Sequence, residues 1–241
     1  MRTIVMGLIL VLVVGGAAVW YMGPWVFDRR RAEEAAARRR PGLEASLVEK
    51  GLSMGDPLYI RIVKDERELE MWVRDDESGR YELFRAWPVL AMSGRPGPKL
   101  AEGDRQAPEG FYDVTPDRLH PHSRYHLAFN IGYPNDYDRA HGRTGSFIMV
   151  HGSNASIGCF AMGDEAIEEI YTMVAASLDA GQESVPVHIF PFRMTEEAMR
   201  KHADSQWIAF WRELKPAWDV FERTRRVPEA SVEEGRYVVR R

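Results

Sequence analysis

The hydrophobic period of this chain changes along its length, and that change limits the fold more than any other feature. Leu58, Ile60 and Ile62 alternate with Tyr59, Arg61 and Val63, and Leu69, Met71 and Val73 alternate with Glu70, Trp72 and Arg74. Period two belongs to strands, and the polar run 64–67 between them predicts a hairpin-like connection. Further strands are expected within 81–92 and near 111–114, 125–130 and 146–150. The period then becomes helical at Ile167, Ile170, Tyr171, Val174 and Leu178. Gly163 and Asp164 stand at the start of that stripe, acidic residues fill its first turns, and Gly181 follows its end. Val185, Val187 and Ile189 read as one more strand. The last stripe, Trp207, Phe210, Trp211, Leu214, Trp218 and Phe221, again has spacings of three and four. The fold class is therefore α+β, mostly β, with one central helix and a helical C-terminal extension whose aromatic face docks on the domain.

A net charge of −4 argues against nucleic acid as a partner, because neutralising phosphates needs a basic surface. There is one cysteine, so neither an internal disulfide framework nor a multi-cysteine zinc site is available. At the N-terminus, residues 4–27 carry no charge, about the length that spans a bilayer core. That run is expected to be a signal anchor or signal peptide, with Trp20, Tyr21 and Trp25 at an interface. Arginines follow it at 29–31 and 38–40, which by the positive-inside rule would place that flank in the cytoplasm. The chemistry below favours export, to the periplasmic side of the inner membrane. Residues 28–55 are rich in Arg, Glu and Ala and read equally as a charged helical stalk or a disordered linker. Residues 56–192 form the main domain and 193–241 the extension.

The central segment is Phe147-Ile-Met-Val-His151-Gly-Ser-Asn-Ala-Ser156-Ile-Gly-Cys159-Phe-Ala-Met-Gly-Asp164. An apolar strand delivers His151, a small-residue turn follows, and Cys159 comes shortly before a helix. A thiol reacts as its thiolate, and a free cysteine near pKa ~8.5 is mostly protonated at neutral pH. A neighbouring imidazole accepts that proton, and amides around Gly158 and Cys159 supply an oxyanion site, with the helix start adding positive potential if aimed there. His151 and Cys159 are the candidate catalytic pair; Gly158, Ser156 and Gly152 are the candidate oxyanion and substrate loop. As bland readings, His151 satisfies a local carbonyl at a strand end and Cys159 is a buried small hydrophobe.

This segment, together with Gly97-Pro-Lys-Leu-Ala-Glu-Gly-Asp-Arg-Gln-Ala-Pro-Glu-Gly-Phe-Tyr112 and Ser123-Arg-Tyr-His-Leu-Ala-Phe-Asn-Ile-Gly-Tyr-Pro-Asn135, resembles the L,D-transpeptidases of the YkuD-domain family, in particular their YafK-like branch. The tail Phe210-Trp-Arg-Glu-Leu-Lys215 is similar to that branch too. The resemblance implies a mostly β catalytic domain and a thioester acyl-enzyme formed on peptidoglycan stem peptides, without a cofactor. It puts Cys159 in the nucleophile's place and His151 in the base's, with Ser156 and Gly158 as the small residues leading to the cysteine. The wider family has Ser/Thr-His-Gly-Cys where this chain has Ser156-Ile157-Gly158-Cys159, and its histidine stands further from the cysteine; both departures match the YafK-like branch. Members of that branch are associated with releasing lipoprotein from the wall, so a hydrolase using the same pair is an alternative, with a wall-linked lipoprotein as partner. A non-catalytic wall-binding module is a third reading.

Other candidates carry less. His120, His122 and His126 cluster near Pro121 but lack an obvious acidic ligand, so no metal site is expected. Lys99, Arg105 and Arg143 are expected as solvated loop charges. Asp113, Asp136 and Asp138 are open as groups that could orient an imidazole. The long stretch 94–110, rich in Gly and Pro, reads as a functional loop.

Overall fold

The computed structural model describes residues 30–240; the expectations for the uncharged run 4–27 lie outside the described residues. Helix α1 (Arg30–Val48) leads into strands β1 (Leu58–Val63), β2 (Glu68–Arg74) and β3 (Tyr81–Pro88). After a long loop come β4 (Gly110–Val114), β5 (Leu119–His120), β6 (Ala128–Asn130), α2 (Asp136–Ala140), β7 (Met149–His151) and β8 (Phe160–Ala161). Helix α3 (Asp164–Asp179), β9 (Val185–Phe190), α4 (Glu196–Lys201), α5 (Ile208–Thr224), β10 (Glu229–Glu233) and β11 (Arg236–Arg240) complete the order. The fold is α+β and mostly sheet, as expected. Among the described residues, no helix is long and apolar enough to cross a membrane.

Two sheets matter for the site. The larger has the order β3-β2-β1-β9-β4, with β1 and β9 parallel and the other neighbours antiparallel. The smaller, β5-β6-β7-β8, ends on a parallel pair in which Val150 faces Phe160 and His151 faces Ala161. An antiparallel bridge between Ala91 and Ala161 joins the exit of β3 to this smaller sheet. Helix α3 packs Ile167, Ile170, Tyr171 and Val174 into one core with residues of both sheets, and so fixes how the sheets meet.

Every residue of β1 is buried, although its sequence alternates. The reason is a second cover. Leu58, Ile60 and Ile62 face the α3 core, while Tyr59 and Val63 on the other face meet residues of α5. The aromatic stripe of α5 thus docks on the sheet, with Phe210, Trp211, Leu214, Trp218 and Phe221 all buried. Arg61 shares that face because its guanidinium is satisfied there: it donates to Glu70 at 2.6 Å and Glu222 at 2.6 Å and lies 4.2 Å from the Trp218 ring centre. The extension is helical through Thr224 and then closes with the β10–β11 hairpin, which the sequence reading had continued as helix.

The segment read as a stalk or linker is helix α1, and it does not hold the domain at a distance. Its row Ala35, Leu43 and Leu47 belongs to the main core. On its polar side Arg38 and Arg39 donate to Glu168 of α3 at 2.5 and 2.8 Å, and Arg31 donates to the carbonyls of Ser123 and His126. An apolar row spaced in multiples of four lies along one helix face, which is why the segment packs rather than projects.

Candidate active site

Strand β7 delivers His151 at its last position, as expected, and His151 is buried there. The parallel register with β8 brings the cysteine back alongside. Counting back from the Val150–Phe160 pair, Cys159 falls opposite Met149, and its sulfur lies 3.4 Å from the Met149 amide nitrogen. Met149 and His151 are two residues apart, so their side chains point to one face of β7, and the thiol stands at the Met149 end of that strand. Cys159 is partly exposed, and its thiol lies 3.6 Å from the Phe147 carbonyl oxygen.

The tautomer of His151 follows from one contact. Its Nδ1 is 2.6 Å from the Gly152 carbonyl oxygen, which can only accept, so Nδ1 carries the hydrogen and Nε2 has the free lone pair. Burial lowers the His151 pKa below the ordinary 6.5, with the Gly152 carbonyl opposing. Burial also raises the Cys159 thiol, against the Met149 N–H and the charge of Lys99. Both shifts favour the uncharged form, an imidazole with its lone pair at Nε2 and a protonated thiol.

The turn between them is built to hold that geometry. Ser156 Oγ donates to the Cys159 carbonyl at 2.6 Å and locks the turn from inside. Gly158 has φ +103, which only glycine adopts without strain. Phe147, Ser153 and His126 are non-glycine residues at φ +52, +63 and +70. Such strain gathers at functional sites, and these three surround the pair.

The sequence matches the family model of the YkuD L,D-transpeptidase catalytic domain over residues 57–189. It is 49% identical over 186 residues to "Putative L,D-transpeptidase YafK" of Escherichia coli K12, covering 77% of this chain and 75% of that protein. The chain belongs to the YkuD L,D-transpeptidase family. Among solved structures, the helical cell shape determining protein Pgp2 from Campylobacter jejuni is similar, with TM-score 0.44 at 19% identity and 80% of each chain covered. Its K307A mutant gives TM-score 0.45 at 21% identity over 73% of this chain, and this chain spans 62% of that one.

Within this YkuD domain several expectations need correction. Gly152 is no oxyanion donor: its amide donates to the Leu127 carbonyl at 3.0 Å, and a Cβ there would lie 2.6 Å from the Tyr125 carbonyl oxygen. It is a close-approach glycine whose carbonyl orients His151. Cys159 does come shortly before a helix, with the two-residue β8 between it and α3, and Asp164 at the start of α3 accepts from the Ser153 amide at 2.7 Å. None of the three aspartates orients the imidazole. Asp113 pairs with Arg118, Asp136 with Arg139, and Asp138 with Arg143. Arg143 and Lys99 are therefore buried partners rather than solvated charges, Lys99 donating to Asp104 at 2.6 Å. His126 is bonded to Glu168, and among the described residues no group of three His, Cys, Asp or Glu could hold a metal ion.

The long loop does border the site, since the Gln106 carbonyl oxygen would lie 3.6 Å from a Cβ on Gly158. What anchors it was not apparent in the sequence. Lys64, fully buried, donates to the carbonyls of Gly97 and Ala107 and to Glu109, and Glu109 also accepts from Trp211 of α5. Lys64 opens the polar run 64–67, so nothing in its sequence neighbourhood announced its burial. Tyr125, its ring centre 4.7 Å from that of His151, was missed as well.

Proposed function

We propose that this chain is a cysteine-dependent enzyme acting on peptidoglycan stem peptides on the periplasmic side of the inner membrane, held to the membrane by its N-terminal segment. The observation that carries this reading is the His151 Nδ1–Gly152 carbonyl contact, which leaves Nε2 as the ring nitrogen able to take a proton, on the strand whose Met149 amide lies against the Cys159 sulfur. As thiol sulfur bonds to the scissile carbonyl carbon, the thiol proton passes to Nε2. The tetrahedral oxyanion is held by the amides of Gly158 and Cys159. Its collapse breaks the C–N bond, and the imidazolium gives the proton to the leaving amine. An acceptor amine or water then attacks the thioester, with His151 again the base, and the thiol is restored. No step draws on a cofactor.

Hydrolysis of a wall-to-protein link by the same thioester is the second reading. Phe147 and Ile157, near the cysteine in sequence, carry large exposed apolar side chains that a polypeptide substrate could cover in either reading. Mass spectrometry of muropeptides, and of peptidoglycan carrying bound lipoprotein, after incubation with the full chain in detergent separates the cases. Crosslinked or exchanged products that vanish in Cys159→Ala indicate transfer. Cysteine-dependent release of lipoprotein without new crosslinks indicates hydrolysis. Binding to the wall that persists in Cys159→Ala, with no product from the wild type, leaves a wall-binding module.

A further inference from the structure

One short loop connects helix α1 to His151. Tyr125 is half exposed, yet its ring lies over the imidazole at 4.7 Å between centres and 37° between planes. An aromatic plate in that position opposes rotation of the imidazole away from the Gly152 carbonyl and keeps water off one face. The next residue, His126, has φ +70, a left-handed conformation that a non-glycine residue holds only with external support.

That support comes from three directions. Arg31 of α1 donates to the His126 carbonyl at 2.7 Å and to the Ser123 carbonyl at 2.9 Å, bracketing Tyr125. The His126 imidazole bonds Glu168 of α3 at 2.9 Å, and the same carboxylate holds Arg38 and Arg39 of α1. Gly152 leaves room for the loop, since a Cβ on it would lie 2.9 Å from the His126 Cβ. Arg31 is itself exposed, so two bonds to distant backbone carbonyls are more than a solvated charge needs.

We propose that Tyr125 and His126 are positioning residues for His151, and that α1 sets their position through Arg31. This rests on His151 being the base of the proposed reaction. The groups that face the imidazole or its support are Tyr125, Cys159, Asp164 through Ser153, and, behind the loop, His126, Glu168, Arg31, Arg38 and Arg39. Helix α1 directly follows the uncharged run at 4–27, so a displacement of that helix would reach the histidine through a single loop.

The test is NMR titration of His151 in the full chain in detergent, labelled at histidine and assigned with His151→Gln, alongside the rate of Cys159 acylation by a stem peptide. Tyr125→Ala is expected to move the His151 midpoint toward that of a free histidine by at least about half a pH unit, and to slow acylation by about a hundredfold. Tyr125→Phe keeps the ring and is expected to behave as wild type in titration. Arg31→Ala removes an exposed side chain outside the core and is expected to shift the midpoint in the same direction and slow acylation about tenfold. An unmoved midpoint in Tyr125→Ala overturns the positioning role. A shift there without one in Arg31→Ala overturns the part given to α1. The titration needs no wall substrate, so it fails or holds separately from the thioester chemistry.

Discussion

Cys159 and His151 rest as neutral groups because each is buried enough to disfavour its charged form. In the reaction proposed above, activation then belongs to the encounter with substrate, when the proton moves as the bond to carbon forms. This separates the site from a preformed thiolate–imidazolium pair, which would alkylate rapidly near neutrality. We expect the rate of Cys159 alkylation by iodoacetamide, without substrate, to stay low at pH 7 and climb only above the ordinary thiol range; a plateau between pH 5 and 8 would contradict this. Two neighbouring glycines make a second test. Gly158 needs its positive φ but has ordinary space around it, so Gly158→Ala should cost about 1–2 kcal/mol in urea unfolding. Gly152 has the opposite problem. Its missing Cβ would press on the backbone carbonyl of Tyr125, so Gly152→Ala should destabilise more than Gly158→Ala and displace His151's own hydrogen-bond acceptor.

At the scale of elements, α1 and α5 do for the site what the two short sheets cannot do alone. Helix α1 is tied to α3 at Glu168, where burial tends to raise the carboxylate pKa but hydrogen bonds from Arg38, Arg39 and His126 outweigh it and bring it down to about 2. A carboxylate depressed in the folded state contributes stability that is complete above its unfolded value near ~4.3 and is lost as pH falls toward 2. Thermal unfolding between pH 5 and 2 should therefore lose slope in Glu168→Gln, and proteolysis within α1 should begin at higher pH in that variant. Helix α5 acts from the other side, through the Trp211 N–H on Glu109. Removing one partner of a buried pair leaves the other charge without compensation. Glu109→Ala strands Lys64 and should cost about 3–5 kcal/mol by urea unfolding, loosening the loop beside Gly158 as well.

For the molecule as a whole, the larger sheet is covered on both faces, and the second cover explains its buried polar residues. His188 on β9 lies between Tyr59 and Phe111, with Tyr59 Oη 3.1 Å from its Nδ1. Burial, with a smaller push from Arg61, lowers its pKa to about 3. The unfolded chain then binds a proton that the folded one refuses, so stability is complete above about pH 6.5 and declines as pH falls toward 3. Replacing His188 with Phe should flatten that part of the stability–pH curve in calorimetry; an unchanged curve would show that other groups carry it.

Strand identity over Leu58 to Val73 and helix identity over Ile167 to Leu178 followed from period, two in the first and three to four in the second, whereas the β10–β11 hairpin stands where helix was expected. The catalytic candidates were also apparent, since a strand, a histidine, a glycine-containing turn and the single cysteine are contiguous and the chemistry is local. Contacts between distant segments were not. Arg31 meets His126, Arg38 meets Glu168, and Trp211 meets Glu109 across roughly a hundred residues or more, and nothing in their local spacing announces it. Within 28–55 the helix is present over Arg30–Val48, but it packs rather than projects as a stalk: a charged composition describes the exposed face, while Ala35, Leu43 and Leu47 needed a partner surface before their burial had meaning. Composition, period and order determined which pieces this protein has and which side chains can react. Only the packing of α1, α3 and α5 around the sheets decided which charges are buried and what holds the histidine in place, because burial and pairing depend on which distant surfaces meet.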